Sequence, residues 1–220
     1  MLELEKAQRM SLTMQVELRL KNALITGALK PGDRLITKEI AGQLGTSITP
    51  VREALLRLVS SGCLQVTPAQ AFQVPDLRQE RYREINGIRK NLETMAVTEA
   101  IKHITKEQLT HLQQLYQEFK DARENLQYEE ALHKNLKFRF TLYSHARMPT
   151  LLELIEQLWM RIGPGFSFLL PTPDSTAPAP HDYDALLEAI AAKDSNAAIR
   201  ALSKTIDESL EIFLHQNAVA

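Results

Sequence analysis

The stretch TKEIAGQLGTSITPVREALLRLVSS, residues 37–61, sets two short helical runs end to end around one glycine, and this constrains the fold more than any other feature of the chain. A first helix can start from Thr37 with Glu39 in its first turn, and a second helix can start at Ser47 or Thr49 and run to Ser60. Ala41 and Gly45 stand four apart, so a small residue lies where two helices must approach and a glycine where the chain must turn. On the second helix Val51, Ala54, Leu55 and Leu58 share the inward face.

What flanks this pair completes a small domain. Upstream, Val16, Leu20, Ala23 and Leu24 follow helical spacing behind Ser11 or Thr13 as N-cap, the helix stops at Gly27, and LKPGDRL reads as a turn. Downstream, Leu64–Val66 and Phe72–Val74 are two β segments around a loop containing Pro68. Three helices and then a hairpin predict a winged helix-turn-helix over residues 1–75, with 76–78 as a linker.

From residue 79 to 220 every segment is helical, which makes the chain mainly α: a winged helix-turn-helix followed by an all-α bundle. Ile85, Ile88, Leu92, Met95 and Ala96 form one apolar stripe; Leu109, Leu112, Leu115, Tyr116 and Phe119 form another. Leu132, Leu136, Phe140 and Tyr143 give a third, and Leu151, Leu154, Ile155, Leu158 and Ile162 a fourth. LPTPDSTAPAP, at 170–180, is a break that no helix crosses. Beyond it Leu186, Leu187 and Ile190 mark a short helix, and Ile199, Leu202, Ile206, Leu210 and Phe213 a final one.

Charge divides along the same boundary. The net charge of −1 conceals a front portion with nine Lys/Arg against six Asp/Glu and an acidic remainder. Cys63, the single cysteine, has no partner for a disulfide or a metal site, and reads as a small packing residue in a reducing compartment. MLELEKAQRM carries acids where a signal peptide needs a basic flank, and no run reaches the length of a membrane span. The sequence therefore predicts a cytoplasmic protein without a membrane partner.

The polar start of the second helix asks for a ligand. Ser47 and Thr49 offer hydroxyls beside backbone N–H groups and a positive dipole end, all suited to a phosphate oxygen. Pro50 is tolerated in the first turn, where N–H groups lack internal partners. Arg52 follows, and its guanidinium can bond the two acceptors of a guanine or clamp a phosphate. Each feature alone is an ordinary cap or surface charge; in order, inside this domain, they point to double-stranded DNA.

GALKPGDRLITKEIAGQLGTSITPVREALLRLVSSGCL resembles the DNA-binding head of the GntR family of bacterial transcription regulators. That family's pattern runs G-x-x-x-P-G-x-x-L, then L-A-x-x-x-G-x-S, then P-V-R-E-A-L-x-x-L and a G-L before the wing. The likeness covers about residues 11–75; the rear half resembles the FadR-type FCD effector domain, with RKNLETMAV in place of R-x-x-L-E-x-x-A. The resemblance implies that Arg52 is the strongest DNA contact, that Lys38 takes the place of an arginine on the preceding helix, and that Ser47 and Thr49 touch phosphates. Two positions depart from it. Ile48 stands where many relatives have a second arginine and offers only an apolar side to a thymine methyl. The wing tip PAQA lacks the usual glycine, leaving Gln70 as the weaker candidate there.

Many FCD domains hold a divalent metal with an Asp-x-x-x-His pair and two later histidines. The aligned positions here are Asn135, Arg139, Tyr183 and Thr205, and a guanidinium has no lone pair to give. His181 falls two residues out of register; His103, His111, His133, His145 and His215 are scattered and carry no evident chemistry. No metal and no other cofactor is expected. Asn135 and Arg139, at i and i+4, share a helical face, and an arginine inside a bundle needs an anionic partner. One reading is a small organic anion held by Arg139 with Asn135, Tyr183 and Arg89 nearby; the other is a permanent pair with a structural acid such as Glu93. Trp159 and Phe166 either line such a pocket or simply pack.

These readings converge on a homodimeric transcription regulator, a repressor by preference, that binds a near-palindromic operator and answers an effector. Two alternatives remain: a DNA-binding scaffold whose bundle meets a protein partner, and an all-α enzyme with an appended DNA-binding head. Against the enzyme, no nucleophile is paired with a base and no glycine-rich loop cradles a phosphate, so no catalytic residue is assigned.

Overall fold

The computed structural model describes residues 10–169 and 182–217. The Pro-rich break at 170–180 and His181 fall outside the described residues.

The head begins with α1 (Leu12–Ile25), and of the two candidate caps it is Ser11 whose hydroxyl accepts from the Met14 N–H at 3.2 Å. α2 (Thr37–Leu44) and α3 (Ile48–Ser60) follow, with Ile36 and Ser47 at their N-cap positions. Gly45 ends α2 in the left-handed region, φ 61°, which an L side chain adopts only with strain. Val51, Ala54, Leu55 and Leu58 are buried and pack with Val16, Leu20, Leu24 and Ile25 of α1.

The wing contains one strand more than the sequence reading provides. β1 (Arg34–Leu35) lies in the segment read as a turn, and it pairs antiparallel with β3 (Phe72–Gln73), which pairs on its other side with β2 (Gln65–Val66). Leu35 and Val66 both face Phe72 in register. A two-residue strand has no alternation to read; pairing with β3 is what creates it.

The rear bundle is organised around α4 (Gln79–His103), which packs against α6 (Tyr128–Ser144), α7 (Pro149–Ile162) and α9 (Ser195–Asn217). α5 (Lys106–Glu124), opened by a Thr105–Gln108 capping box, lies along α6, and α8 (Asp184–Ala191) fits between α5 and α9. The α4 stripe needs correction: Ile88 and Met95 are 45% and 49% exposed, and polar residues hold the inward positions instead. Tyr82, Ile85, Asn86, Arg89, Glu93, Ala96 and Val97 form the buried face. On α6 the fully inward face is Ala131, Asn135, Phe138, Arg139, Leu142 and Tyr143, with Leu132, Leu136 and Phe140 half-buried beside it. Leu154 of α7 is exposed.

Head and bundle meet where α1 packs on α7 and on the 3-10 segment Gly163–Leu169. The approach is close enough to require glycine: a Cβ at Gly163 would lie 2.2 Å from the Leu24 carbonyl oxygen and 2.7 Å from Ile25 Cα.

Candidate nucleic-acid interface and buried charge cluster

The N-terminal end of α3 projects from the head. Ser47, Ile48, Thr49 and Arg52 are exposed there, while Pro50 and Val51 are buried behind them. The Ser47 side chain makes no capping bond, and the first turn carries no acid, so the positive end of the helix is left for an outside anion. Glu53, the residue after Arg52, is turned the other way: its carboxylate accepts from Thr13 of α1 at 2.8 Å. Lys38 is exposed on the first turn of α2. Gln70 is exposed at the tip between β2 and β3, where a turn closes through its N–H to the Thr67 carbonyl at 2.8 Å and the backbone takes φ 57°. The structure thus places all six sequence-derived DNA candidates at the surface.

The four effector candidates lie in one buried cluster between α4, α6, α7 and the start of α8. At its centre the Glu93 carboxylate receives Arg139 Nη2 at 2.9 Å and the Trp159 indole N–H at 2.7 Å. The Tyr143 hydroxyl also donates to it, and Arg89 Nε forms an ion pair with it at 2.6 Å. Arg139 reaches Thr205 through Nη1 at 3.3 Å, and the Tyr183 hydroxyl donates to Asn135 Oδ1 at 2.7 Å. Aromatic faces complete the enclosure, with the Arg89 guanidinium 5.0 Å from the Trp159 ring centre and that of Arg139 5.4 Å from Tyr183. Asn135, Arg139, Tyr183 and Thr205, the positions of the metal ligands in the resemblance, are therefore neighbours in space.

Electrostatics separate the groups. Burial disfavours charge on every ring hydroxyl, pushing Tyr183 up to about 12 against the pull of Arg139, and Tyr143 well above the ordinary tyrosine range. For Arg139, burial acts against the cation, but Tyr143, Tyr183 and Glu93 outweigh it and its pKa is raised. Two guanidinium groups share one carboxylate, so the cluster holds a surplus of one positive charge among the described residues. Four buried polar atoms on these helices, Arg89 Nε and Nη1, Arg139 Nε and Asn86 Oδ1, make no hydrogen bond among the described residues, Arg89 Nε meeting Glu93 only as an ion pair. Sequence reading names Glu93 as a possible partner of Arg139 but misses Tyr143 and Trp159 as donors to it; the Arg89–Glu93 spacing of i, i+4 was the available signal.

Comparison with known proteins supplies the family. Residues 12–74 match the bacterial regulatory proteins of the gntR family, and residues 84–208 match the FCD domain. The chain belongs to the GntR family. This GntR protein is 45% identical over 213 residues to the HTH-type transcriptional regulator McbR of Escherichia coli (strain K12), with 96% of each chain covered. It is 33% identical over 144 residues, 64% of each chain, to an uncharacterized HTH-type transcriptional regulator, YdhC, of Bacillus subtilis (strain 168). The solved structure of E. coli McbR/YncC superposes with a TM-score of 0.87, covering 95% of this chain and 100% of that one. A putative GntR regulator from Rhodococcus sp. RHA1 shares the fold at 20% identity and a TM-score of 0.73. The GntR chain is a DNA-binding transcription regulator of the FadR type with an FCD effector domain, and its relatives are regulators and not enzymes. No helix among its described residues is long and apolar enough to cross a membrane.

Proposed function

We propose that two copies of this regulator bind a two-fold symmetric operator as a cytoplasmic repressor, and that a small organic anion acts as effector in the FCD domain. The reading end of α3 supplies the DNA contacts: Arg52 to a base edge or phosphate, Ser47 and Thr49 to phosphates, and Ile48 to a thymine methyl. Lys38 and Gln70 reach the flanking backbone and the minor groove. Pairing of two copies is supported by the exposed Ile88 and Met95, which share one face of α4 with half-buried Leu92 between them.

The observation that carries the effector is the surplus positive charge at Glu93. A carboxylate balances one buried guanidinium; the second, with donors pointing at no partner, is costly unless another anion joins it. A monoanionic ligand would accept from Arg89 Nη1 and Arg139 Nε, with Asn86, Asn135 and Tyr183 beside it. The ion pair of Arg139 with Glu93 favours a second reading, in which the cluster is purely structural and the bundle meets a protein partner.

Binding-site selection from a random DNA pool tests the first half: a two-fold symmetric site with a steep salt dependence is expected. Thermal shift across a panel of carboxylates and phosphates tests the second. A ligand at a hundred times its dissociation constant should add about 2.7 kcal/mol. A panel that moves the melt by nothing, with Arg139 intact, points to the structural reading.

A further inference from the structure

The two ends of α3 have different surroundings. Its N-terminal end carries the DNA-facing residues, and its C-terminal end is grasped by the effector domain: Arg161 of α7 donates to the Ser61 carbonyl through Nη2 at 2.6 Å and Nε at 3.2 Å. Ser61 is the C-cap of α3, so the guanidinium occupies the negative end of the helix dipole and satisfies a carbonyl left over from the helical ladder. The contact is tight, since Arg161 Nη2 lies 3.3 Å from where a Cβ would stand at Gly62, which has φ 71°. A helix of 13 residues extends about 20 Å, so a tilt imposed at Ser61 displaces Arg52 and Ser47 at the other end.

The other side of α7 enters the buried cluster. Trp159, two residues before Arg161, donates its indole N–H to Glu93, and a separation of two on an α-helix is about 200°, so the two side chains leave α7 on opposite sides. Just beyond Arg161 the chain has little room to absorb movement, because Gly163 is wedged against Leu24 and Ile25 of α1.

We infer that Arg161 is a positioning residue for the reading helix, and that α7 transmits the state of the Glu93 cluster to α3 through Trp159 on one face and Arg161 on the other. This rests on the FCD domain being the effector domain but not on what the effector is. Coupling between two sites is reciprocal, so DNA binding at α3 must change the surroundings of Trp159 even when no effector is added. Trp159 is the single tryptophan of the chain, which makes its emission a direct report on the Glu93 cluster.

The full-length protein is titrated with a duplex carrying its selected operator, following affinity and tryptophan emission together. The expected result is an emission change in the native protein, an operator affinity about tenfold weaker in Arg161→Gln, and loss of the emission change in that variant at saturating DNA. Arg161→Lys, which keeps a donor at the carbonyl, should recover part of both and serves as the measurement if Arg161→Gln unfolds. Lys21→Gln, which gives up the part-exposed pairs with Glu17 and Glu156 and leaves the Arg161–Ser61 bonds in place, should bind within about twofold of the native protein. An emission that is indifferent to operator in the native protein, or one that survives intact in Arg161→Gln, overturns the coupling. Because no anion is present, neither result depends on the effector reading.

Discussion

Arg139 and Glu93 are joined at 2.9 Å, linking α6 to α4 through two side chains that are 0% exposed. Glu93 accepts from α6 and α7 and pairs with Arg89 of its own helix, so its removal strands several buried partners at once. Glu93→Gln leaves two buried guanidinium groups facing a neutral amide, and a loss of about 3–5 kcal/mol is expected on equilibrium unfolding. A loss below about 1 kcal/mol would show that solvent or another acid already balances the pair.

Arg52→Ala removes an exposed side chain and should leave the melting temperature unchanged while costing about 1–3 kcal/mol of operator binding. Ser47→Ala and Thr49→Ala should weaken binding to all sequences alike, since phosphate contacts carry no base information. Competition between operator and a scrambled duplex separates the two classes. An Arg52→Ala protein that binds its operator within about threefold of native places the reading contact elsewhere.

Alkaline stability follows from the buried tyrosines. Tyr82 and Tyr183 are both pushed up to about 12 from 10 by burial, so the folded protein binds protons more tightly than the unfolded chain. Their contribution is complete below about pH 10 and is lost as pH rises toward 12. Denaturant melts between pH 9 and about 12 should show stability falling throughout the upper part of that window. Tyr82→Phe should flatten the fall with little effect at pH 7, because the Tyr82 hydroxyl has no partner among the described residues. Tyr183→Phe gives up its bond to Asn135 and should cost about 1 kcal/mol at neutral pH.

Gly163→Ala tests the seam between head and bundle. The added methyl would meet the Leu24 carbonyl at 2.2 Å, and overpacking of this kind costs about 1–3 kcal/mol. Limited proteolysis should then cut between the domains sooner than in the native protein. Unchanged stability and unchanged cleavage would mean that α1 and α7 slide freely past each other.

Met95→Glu places a charge in the middle of the exposed α4 face. Light scattering should find monomers for the variant and dimers for the native protein, with operator affinity reduced accordingly. A variant that stays dimeric moves the subunit contact to another surface.

The parts of the fold that are legible in the sequence are those where apolar spacing and turn chemistry act locally. Gly45 and the inward residues Val51, Ala54, Leu55 and Leu58 are of this kind. β1 is not, because Arg34 and Leu35 become a strand only through their pairing with Phe72 and Gln73, some forty residues away. The α4 stripe is misread for the opposite reason. Its inward positions belong to Asn86, Arg89 and Glu93, polar groups whose partners lie on other helices, so hydrophobic periodicity points at Ile88 and Met95 on the outside. Trp159 packs as a core aromatic does, but its hydrogen bond to Glu93 depends on a helix that sequence spacing cannot place.

The polar interior also bears on temperature. Exposure of apolar surface on unfolding raises the heat capacity, and exposure of polar surface lowers it. With Asn86, Arg89, Glu93, Asn135, Arg139, Thr205 and Ser209 all buried, the bundle releases more polar surface on unfolding than an all-hydrocarbon bundle of the same length. Its stability curve is correspondingly flatter, so the effector domain keeps a more even hold on its fold from cold to warm.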